Sequence, residues 1–278
     1  MLVTGATGTV GRAVVAELVA AGQPVRAAVR DPEAATVPAG VEHVYLDFDD
    51  PATAAPALDG VDRLFLMRPP AISDVRMALG PLVRAARAVG VRRTVVLSVM
   101  GVNPALPHWR MERMVAAAGL SSTALRPAYF SQNLLSAFGA EIRERSQLRL
   151  AAGNGRVSFI DTRDIAAVAA RVLTDPDAVP QRVLTLTGPA ALTFGEVAAL
   201  LAAELGRPVT YVRQGLLERH RELRSRGAET AYIWVQLAID ATTRLGLARK
   251  LSPDVSTVLA RPATSLQSFI HDHRDTWL

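Results

Sequence analysis

Three glycines at a fixed spacing carry the first chemical signal of this chain: Gly5, Gly8 and Gly11 in Thr4-Gly5-Ala6-Thr7-Gly8-Thr9-Val10-Gly11. A Gly-x-x-Gly-x-x-Gly turn lets the backbone bend sharply, lie close to a ligand and pack a following helix onto a strand. The opening N–H groups of that helix have no partner inside it, so an anion binds there readily. With a short apolar strand before the turn, and an apolar helix and a second strand after it, the expected anion is a dinucleotide pyrophosphate. Leu2-Val3, a helix over 9–21 and a strand over 24–29 supply that context. Gly5, Ala6, Thr7, Gly8, Thr9, Val10 and Gly11 are therefore cofactor-binding candidates.

Further candidates stand where later strands end. In a dinucleotide fold the end of the second strand meets the adenosine ribose, where an acid favours NAD and an arginine favours NADP. Here the strand ends in Val29-Arg30, and the acid, Asp31, comes one residue late, before Pro32. A charge-assisted hydrogen bond from Arg30 to a 2′-phosphate is worth roughly 1.5–3 kcal/mol, so NADPH is expected to be preferred over NADH. Asp31 also reads as a turn residue. Asp47-Phe48 closes the third strand: Asp47 is either a partner for the adenine amino group or an ordinary strand-end residue, with Phe48 packing nearby. Met67-Arg68-Pro69 ends the fourth, at the carboxyl edge where open α/β sheets bind ligands.

Five β-α repeats within about 120 residues must position these groups, and that alternation reads as a doubly wound parallel sheet. After Asn133 the pattern loosens: residues 134–152 read as a helix and a connector, 157–160 and 183–186 as strands, and the chain from Leu216 as helices. The expected fold class is α/β, a Rossmann-type doubly wound parallel sheet with a smaller, mostly helical C-terminal lobe. Its dinucleotide-binding domain covers 1–133, with strands from about 157–188 returning to it. Residues 134–156 and 189–278 form the smaller substrate lobe.

Composition narrows the function classes. The 278 residues, half of them hydrophobic, suffice for a large core, and the absence of cysteine excludes disulfides, thiolate metal sites and cysteine nucleophiles. No apolar run approaches the roughly 18 residues of a membrane span, and no signal peptide is read at the start, so a cytoplasmic location and no membrane partner are expected. The net charge of +5 is carried by dispersed arginines, with Lys250 the single lysine; without a basic stripe and interleaved aromatics, nucleic acid is not an expected partner.

Five segments together resemble the NmrA-like group of atypical short-chain dehydrogenases/reductases, in particular the NADPH-dependent quinone oxidoreductases. They are TGATGTVG at 4–11, VRAAVRDP at 25–32, HWRMERMVAAAGLSSTALRPAYFSQNL at 108–134, SFIDTRDIAAVAARVL at 158–173 and LTLTGPAALTFGEVAALLAAELGRPVTYV at 184–212. The resemblance implies a nucleotide over Gly5 to Gly11 with Arg30 at its phosphate. It implies a nicotinamide near Ser98, Met100, Pro127, Tyr129 and Phe130, and a small-molecule substrate between the lobes near His108, Tyr129 and Asn133. A homodimer is compatible with it.

One departure from the wider group is chemical. Ordinary short-chain dehydrogenases pass a proton through a Tyr-x-x-x-Lys pair, and none of Tyr45, Tyr129, Tyr211 and Tyr232 has a lysine four residues on. Alcohol oxidation and simple ketone reduction are thereby disfavoured. Hydride transfer to a quinone or activated enone gives a stabilised anion that can take its proton from water, and an aromatic polyketide-like ketone is a further candidate acceptor. The candidate catalytic groups are His108, as general acid or substrate ligand, and Tyr129, each with a structural alternative as a helix-end histidine or a pocket-wall residue. Asn133 could bond a carbonyl or tie its connector. Asp161 and Asp164 read as capping residues of the helix they precede, and His271 with His273, lacking a distant third ligand, do not read as a metal site. The expected function is an NADPH-dependent reductase. The alternative is a non-catalytic NADP(H)-binding redox sensor acting through a protein partner, which an exposed apolar surface on the 216–247 helices would favour.

Overall fold

The computed structural model describes every residue except Ala34, Pro176 and Ala178. The strands in chain order are β1 (Leu2–Val3), β2 (Arg26–Val29), β3 (Glu42–Tyr45), β4 (Arg63–Met67), β5 (Arg93–Leu97) and β6 (Ser122–Pro127). There follow β7 (Tyr129–Phe130), β8 (Gln147–Leu150), β9 (Arg156–Ile160), β10 (Val183–Leu186), β11 (Ala191–Thr193) and β12 (Thr210–Arg213). The helices are α1 (Thr9–Ala20), α2 (Ala54–Ala57), α3 (Val75–Ala88), α4 (Pro107–Ala117), α5 (Asn133–Ser136) and α6 (Gly139–Arg145). They continue with α7 (Thr162–Thr174), α8 (Phe194–Leu205), α9 (Leu216–Ser225), α10 (Thr230–Arg244), α11 (Asp254–Leu259) and α12 (Leu266–Asp272).

The chain divides into two compact units. The first comprises 1–127, 162–186 and 254–261. Its seven-stranded sheet, in the order β10-β6-β5-β4-β1-β2-β3, is parallel throughout. The order reverses between β1 and β4, and a ligand crevice is expected at that switch point, outside the carboxyl ends of the strands. The centre of β4 is wholly apolar and buried, and β5 buries Thr94, Val95, Val96 and Leu97, as a sheet covered on both faces requires. One layer of cover is α3 and α4, whose Leu79, Leu82, Val83, Met111 and Val115 share a core with Leu2, Leu64 and Leu66. The other includes α1 and α7, which pack on each other.

The second unit comprises 128–161, 187–253 and 262–278. It holds a three-stranded sheet, β11-β9-β7, and a parallel pair, β12 with β8. Its core gathers Phe138, Phe159, Phe194, Leu201, Phe269 and Trp277. The Trp277 indole is fully buried and its Nε1–H donates to the Leu134 carbonyl at 3.3 Å.

Three sequence expectations are corrected. The first unit ends at Pro127, not at residue 133, and regains residues 254–261. Of the strands expected to return to it, only β10 does; β9 finds its hydrogen-bonding partners in β7 and β11. The stretch 134–152 contains not only helices but β8, and the second unit accordingly carries two small sheets among its helices. Thr193 and Glu196 form a capping box at the start of α8: the Thr193 hydroxyl accepts the Glu196 N–H while the Glu196 carboxylate accepts the Thr193 N–H at 2.7 Å.

Trp277→Ala removes the largest fully buried side chain of the second unit. It is expected to cost about 3–5 kcal/mol of unfolding free energy, measured by urea denaturation followed by circular dichroism.

Candidate functional site

The glycine turn owes its shape to steric necessity at two positions. Gly5 has φ +62°, a left-handed conformation that a side chain strains. At Gly11 a Cβ would lie 2.1 Å from the Gly5 carbonyl oxygen, so α1 can pack this closely only on glycine. The turn is closed by Gly8 N–H donating to the Gly5 carbonyl at 2.9 Å. Thr4, fully buried, fixes its height: its hydroxyl donates to the Phe65 carbonyl and accepts the Met67 N–H at 2.9 Å, clamping the end of β1 to β4.

The N-terminal end of α1 suits an anion. No side chain caps it and no acid stands in its first turn, so its opening N–H groups and partial positive charge face the turn unopposed. Beside it lies a cleft of about 390 Å³ lined by Thr7, Arg12, Val29, Arg30, Asp31, Ala35 and Thr36. Arg30 is exposed and, among the described residues, has neither hydrogen bond nor ion pair. Asp31 accepts the Glu33 N–H at 3.1 Å, the turn role read for it.

Other strand ends contribute differently. Asp47 closes its own turn, accepting the Asp49 N–H at 3.0 Å, while Phe48 packs on the core. Met67 meets Gly5, where a Cβ would lie 2.4 Å from its sulfur. Arg68 folds back on the loop after β4, its Nη1 donating to the Pro69 and Pro70 carbonyls at 2.9 and 2.8 Å and to that of Ile72 at 2.5 Å. The Ser98 and Met100 N–H groups donate to the Leu125 and Pro127 carbonyls at 2.7 and 2.9 Å. Among the described residues the buried Ser98 hydroxyl has no hydrogen-bond partner. Such an orphan costs roughly 1–3 kcal/mol, which a hydrogen bond to a ligand would relieve. A cradle that only glycine can form and an orphaned hydroxyl at the carboxyl edge of the same sheet both fit a dinucleotide.

His108, at the start of α4, also belongs to the first unit. Its Nδ1 is buried without a partner. Burial, aided by the Arg68 cation and opposed by Glu112, lowers its pKa from 6.5 to about 4. Glu112 is itself held by Arg126 through two hydrogen bonds of 3.0 and 2.6 Å. The imidazole is therefore neutral at pH 7, a hydrogen-bonding group and not an imidazolium acid.

Tyr129, Phe130 and Asn133 lie in the second unit. The Tyr129 ring stands edge-on to Phe159 and Phe194, with centroids 5.5 and 6.2 Å away. Burial and the Asp240 charge raise the phenol's pKa, and Arg219 with a hydrogen bond to Asn133 offsets part of that. Asp161 is buried and accepts from Gln132 Nε2 at 2.8 Å; Asp164, in the first turn of α7, pairs with Arg261 at 2.8 Å. His271 Nδ1 meets Glu204 and His273 Nδ1 meets the Phe269 carbonyl. Among the described residues no cluster of metal-ligating side chains forms.

Sequence reasoning missed Thr4, Arg12 and Thr36. It also missed a charged network in the second unit: buried Glu141, Arg219 and Asp240 with Arg149, Glu222 and Arg226. Arg12 stands directly after the third glycine, a signal within the motif itself.

Two predictions follow from this geometry. Gly11→Ala is expected to push α1 off the turn, lowering the melting temperature and abolishing dinucleotide binding measured by calorimetry. For His108, the folded state binds fewer protons than the unfolded state between pH about 4 and 6.5, so its contribution to stability rises with pH across that window and is lost on acidification. His108→Gln should flatten that part of the stability–pH curve in denaturant titrations, and wild-type His108 ring protons should not titrate above pH about 5 by NMR.

Comparison with known proteins agrees with the geometry. Residues 1–231 match the NmrA-like family. The chain is 35% identical to an NAD(P)H azoreductase of Xenophilus azovorans over 98% of this chain and 97% of that one. It superposes with TM-score 0.85 on an NADPH-dependent quinone oxidoreductase of Escherichia coli solved with NADPH, 27% identical and covering 99% of both chains. A triphenylmethane reductase of Citrobacter sp. solved with NADP(H) gives 0.84 at 25% identity, covering 98% of each chain. With the glycine cradle, the parallel sheet and these likenesses spanning nearly its whole length, the chain belongs to the NmrA-like family.

Proposed function

We propose that this protein is an NADPH-dependent reductase of quinones, conjugated enones or comparable dye-like acceptors. The chain is an NAD(P)H-dependent reductase, as its full-length relatives are. The single observation that carries the NADPH part of this reading is Arg30, without a partner among the described residues, in the cleft beside the glycine turn, where it suits a 2′-phosphate.

Gly5 to Gly11 and the N-terminus of α1 would hold the pyrophosphate, and Arg30 the 2′-phosphate. Ser98 and Met100 would border the nicotinamide, which when bound supplies a hydride. The chain's own residues favour an acceptor that needs no strong acid. Lys250 is the single lysine, no Tyr-x-x-x-Lys pair exists, and neither the neutral His108 nor the Tyr129 phenol has a pKa near neutrality. His108 of the first unit is proposed to donate or accept a hydrogen bond to the substrate; Tyr129 and Asn133 of the second unit are separate candidates for substrate contact.

The sensor reading keeps one supporting observation. The helices between 216 and 247 expose Leu217, Tyr232, Trp234, Val235, Leu245 and Leu247.

NADPH oxidation at 340 nm against a panel of quinones and enones, with an acceptor-free control, separates the two. Turnover is expected; NADPH binding without turnover of any acceptor would support the sensor. Arg30→Ala is expected to reduce the preference for NADPH over NADH by about ten- to a hundredfold. An unchanged ratio of dissociation constants would remove Arg30 from the phosphate site.

A further inference from the structure

We propose that Arg12 is the second arginine of the 2′-phosphate site, so that selection of NADPH is set by an Arg12–Arg30 pair and not by Arg30 alone. The proposal rests on the NADPH reading above and adds a residue to it.

Arg12 and Arg30 line the same cleft, together with the hydroxyl-bearing Thr7 and Thr36. Neither is neutralised. Arg30 has no partner among the described residues, and the one hydrogen bond of the Arg12 side chain runs from Nη2 to the neutral Thr7 carbonyl at 3.1 Å. Asp31, the acid in the lining, is turned to its own loop through the Glu33 N–H. Two cations facing one cleft repel each other, and a bound dianion removes that repulsion.

The position of Arg12 strengthens the case. It is the fourth residue of α1, close to the end where the helix carries partial positive charge, and that helix has no acid in its first turn to compensate. Helix electrostatics disfavour a cation there. Its tether to Thr7 holds the guanidinium beside the glycine turn, so a bound phosphate would meet an arginine already in place. A phosphomonoester offers three acceptor oxygens to two planar forks of donors. A bare ribose diol offers no charge, so NADH would leave both arginines uncompensated.

The test compares wild type, Arg12→Gln, Arg30→Gln and the double variant. Dissociation constants for NADPH, NADH and adenosine 2′,5′-bisphosphate are measured by calorimetry, with the melting temperature of each nucleotide-free protein. Arg12→Gln is expected to weaken NADPH and the bisphosphate by about ten- to a hundredfold while leaving NADH nearly unchanged. Its melting temperature is expected to stay level or rise, because a like charge leaves the helix N-terminus. Equal weakening of NADPH and NADH, with a lower melting temperature, would show that Arg12 merely holds the turn and would overturn the proposal. Loss of preference in Arg30→Gln but not in Arg12→Gln would overturn the Arg12 assignment and leave the cofactor reading intact. Failure of the wild type to bind either nucleotide would overturn both.

Discussion

The first unit depends on one backbone contact, the approach of Gly11 to the carbonyl of Gly5. A single methyl group at Gly11 would sit 2.1 Å from that oxygen. Because it is absent, α1 begins directly over the turn and its uncapped N–H groups converge where β1 ends. Thr4 fixes the same turn from below by clamping β1 to β4, and Gly5 completes the bend in a left-handed conformation. The anion cradle, the cleft of Arg12 and Arg30 and the switch point between β1 and β4 therefore share one origin. None of them tolerates a shift of the helix, since backbone would meet backbone and no flexible side chain could give way.

The second unit is built on a different balance. Its aromatic core stacks Phe159, Phe194 and Tyr129 edge to face. Next to that core it buries charge: Arg219 lies between Glu222 on its own helix, at 3.4 Å, and Asp240 on α10, at 3.7 Å. Asp240 also accepts the Ala151 N–H, and burial raises its pKa. A buried ion pair gives little net stability, because desolvation offsets its attraction, but losing one partner strands the other. The network thus fixes how α9 and α10 lie on the segment after β8 more than it strengthens the unit. The Tyr129 phenol feels both charges of the pair.

What could be read from the sequence was what is local. The glycine turn, the alternation of strands and helices and the Arg30-Asp31 end of the second strand are each encoded within a few residues. The strands β7, β8 and β11 were not legible, because each is only two to four residues long and acquires its identity from a partner distant in the chain. β9 shows the same limit: its residues declare a strand, but not which sheet it joins. The Arg219–Asp240 pair joins separate helices, so no spacing announces it. Arg12 adjoins the motif in sequence, but that it lines the same cleft as Arg30, eighteen positions on, is set only by the fold. His108 was visible as a residue type, but its neutrality comes from burial and from Arg68, forty positions earlier, which fold only in three dimensions.

The electrostatics of the polar candidates bear on the chemistry more than their identities do. In a Tyr-x-x-x-Lys relay a lysine lowers the phenol's pKa so that the proton can move. Tyr129 is placed in the opposite field, where burial and Asp240 hold its proton on. His108 is shifted the other way from a useful acid, too low to carry a proton at neutral pH. Each group can offer a hydrogen bond, and neither readily changes its charge. If these two groups serve the substrate, as proposed, they would orient an acceptor oxygen without supplying a proton in step with hydride arrival. On the proposed reading, the substrates that remain are those whose reduced anion is stable enough to await a proton from water, so the acceptor's own electronic structure replaces the missing acid.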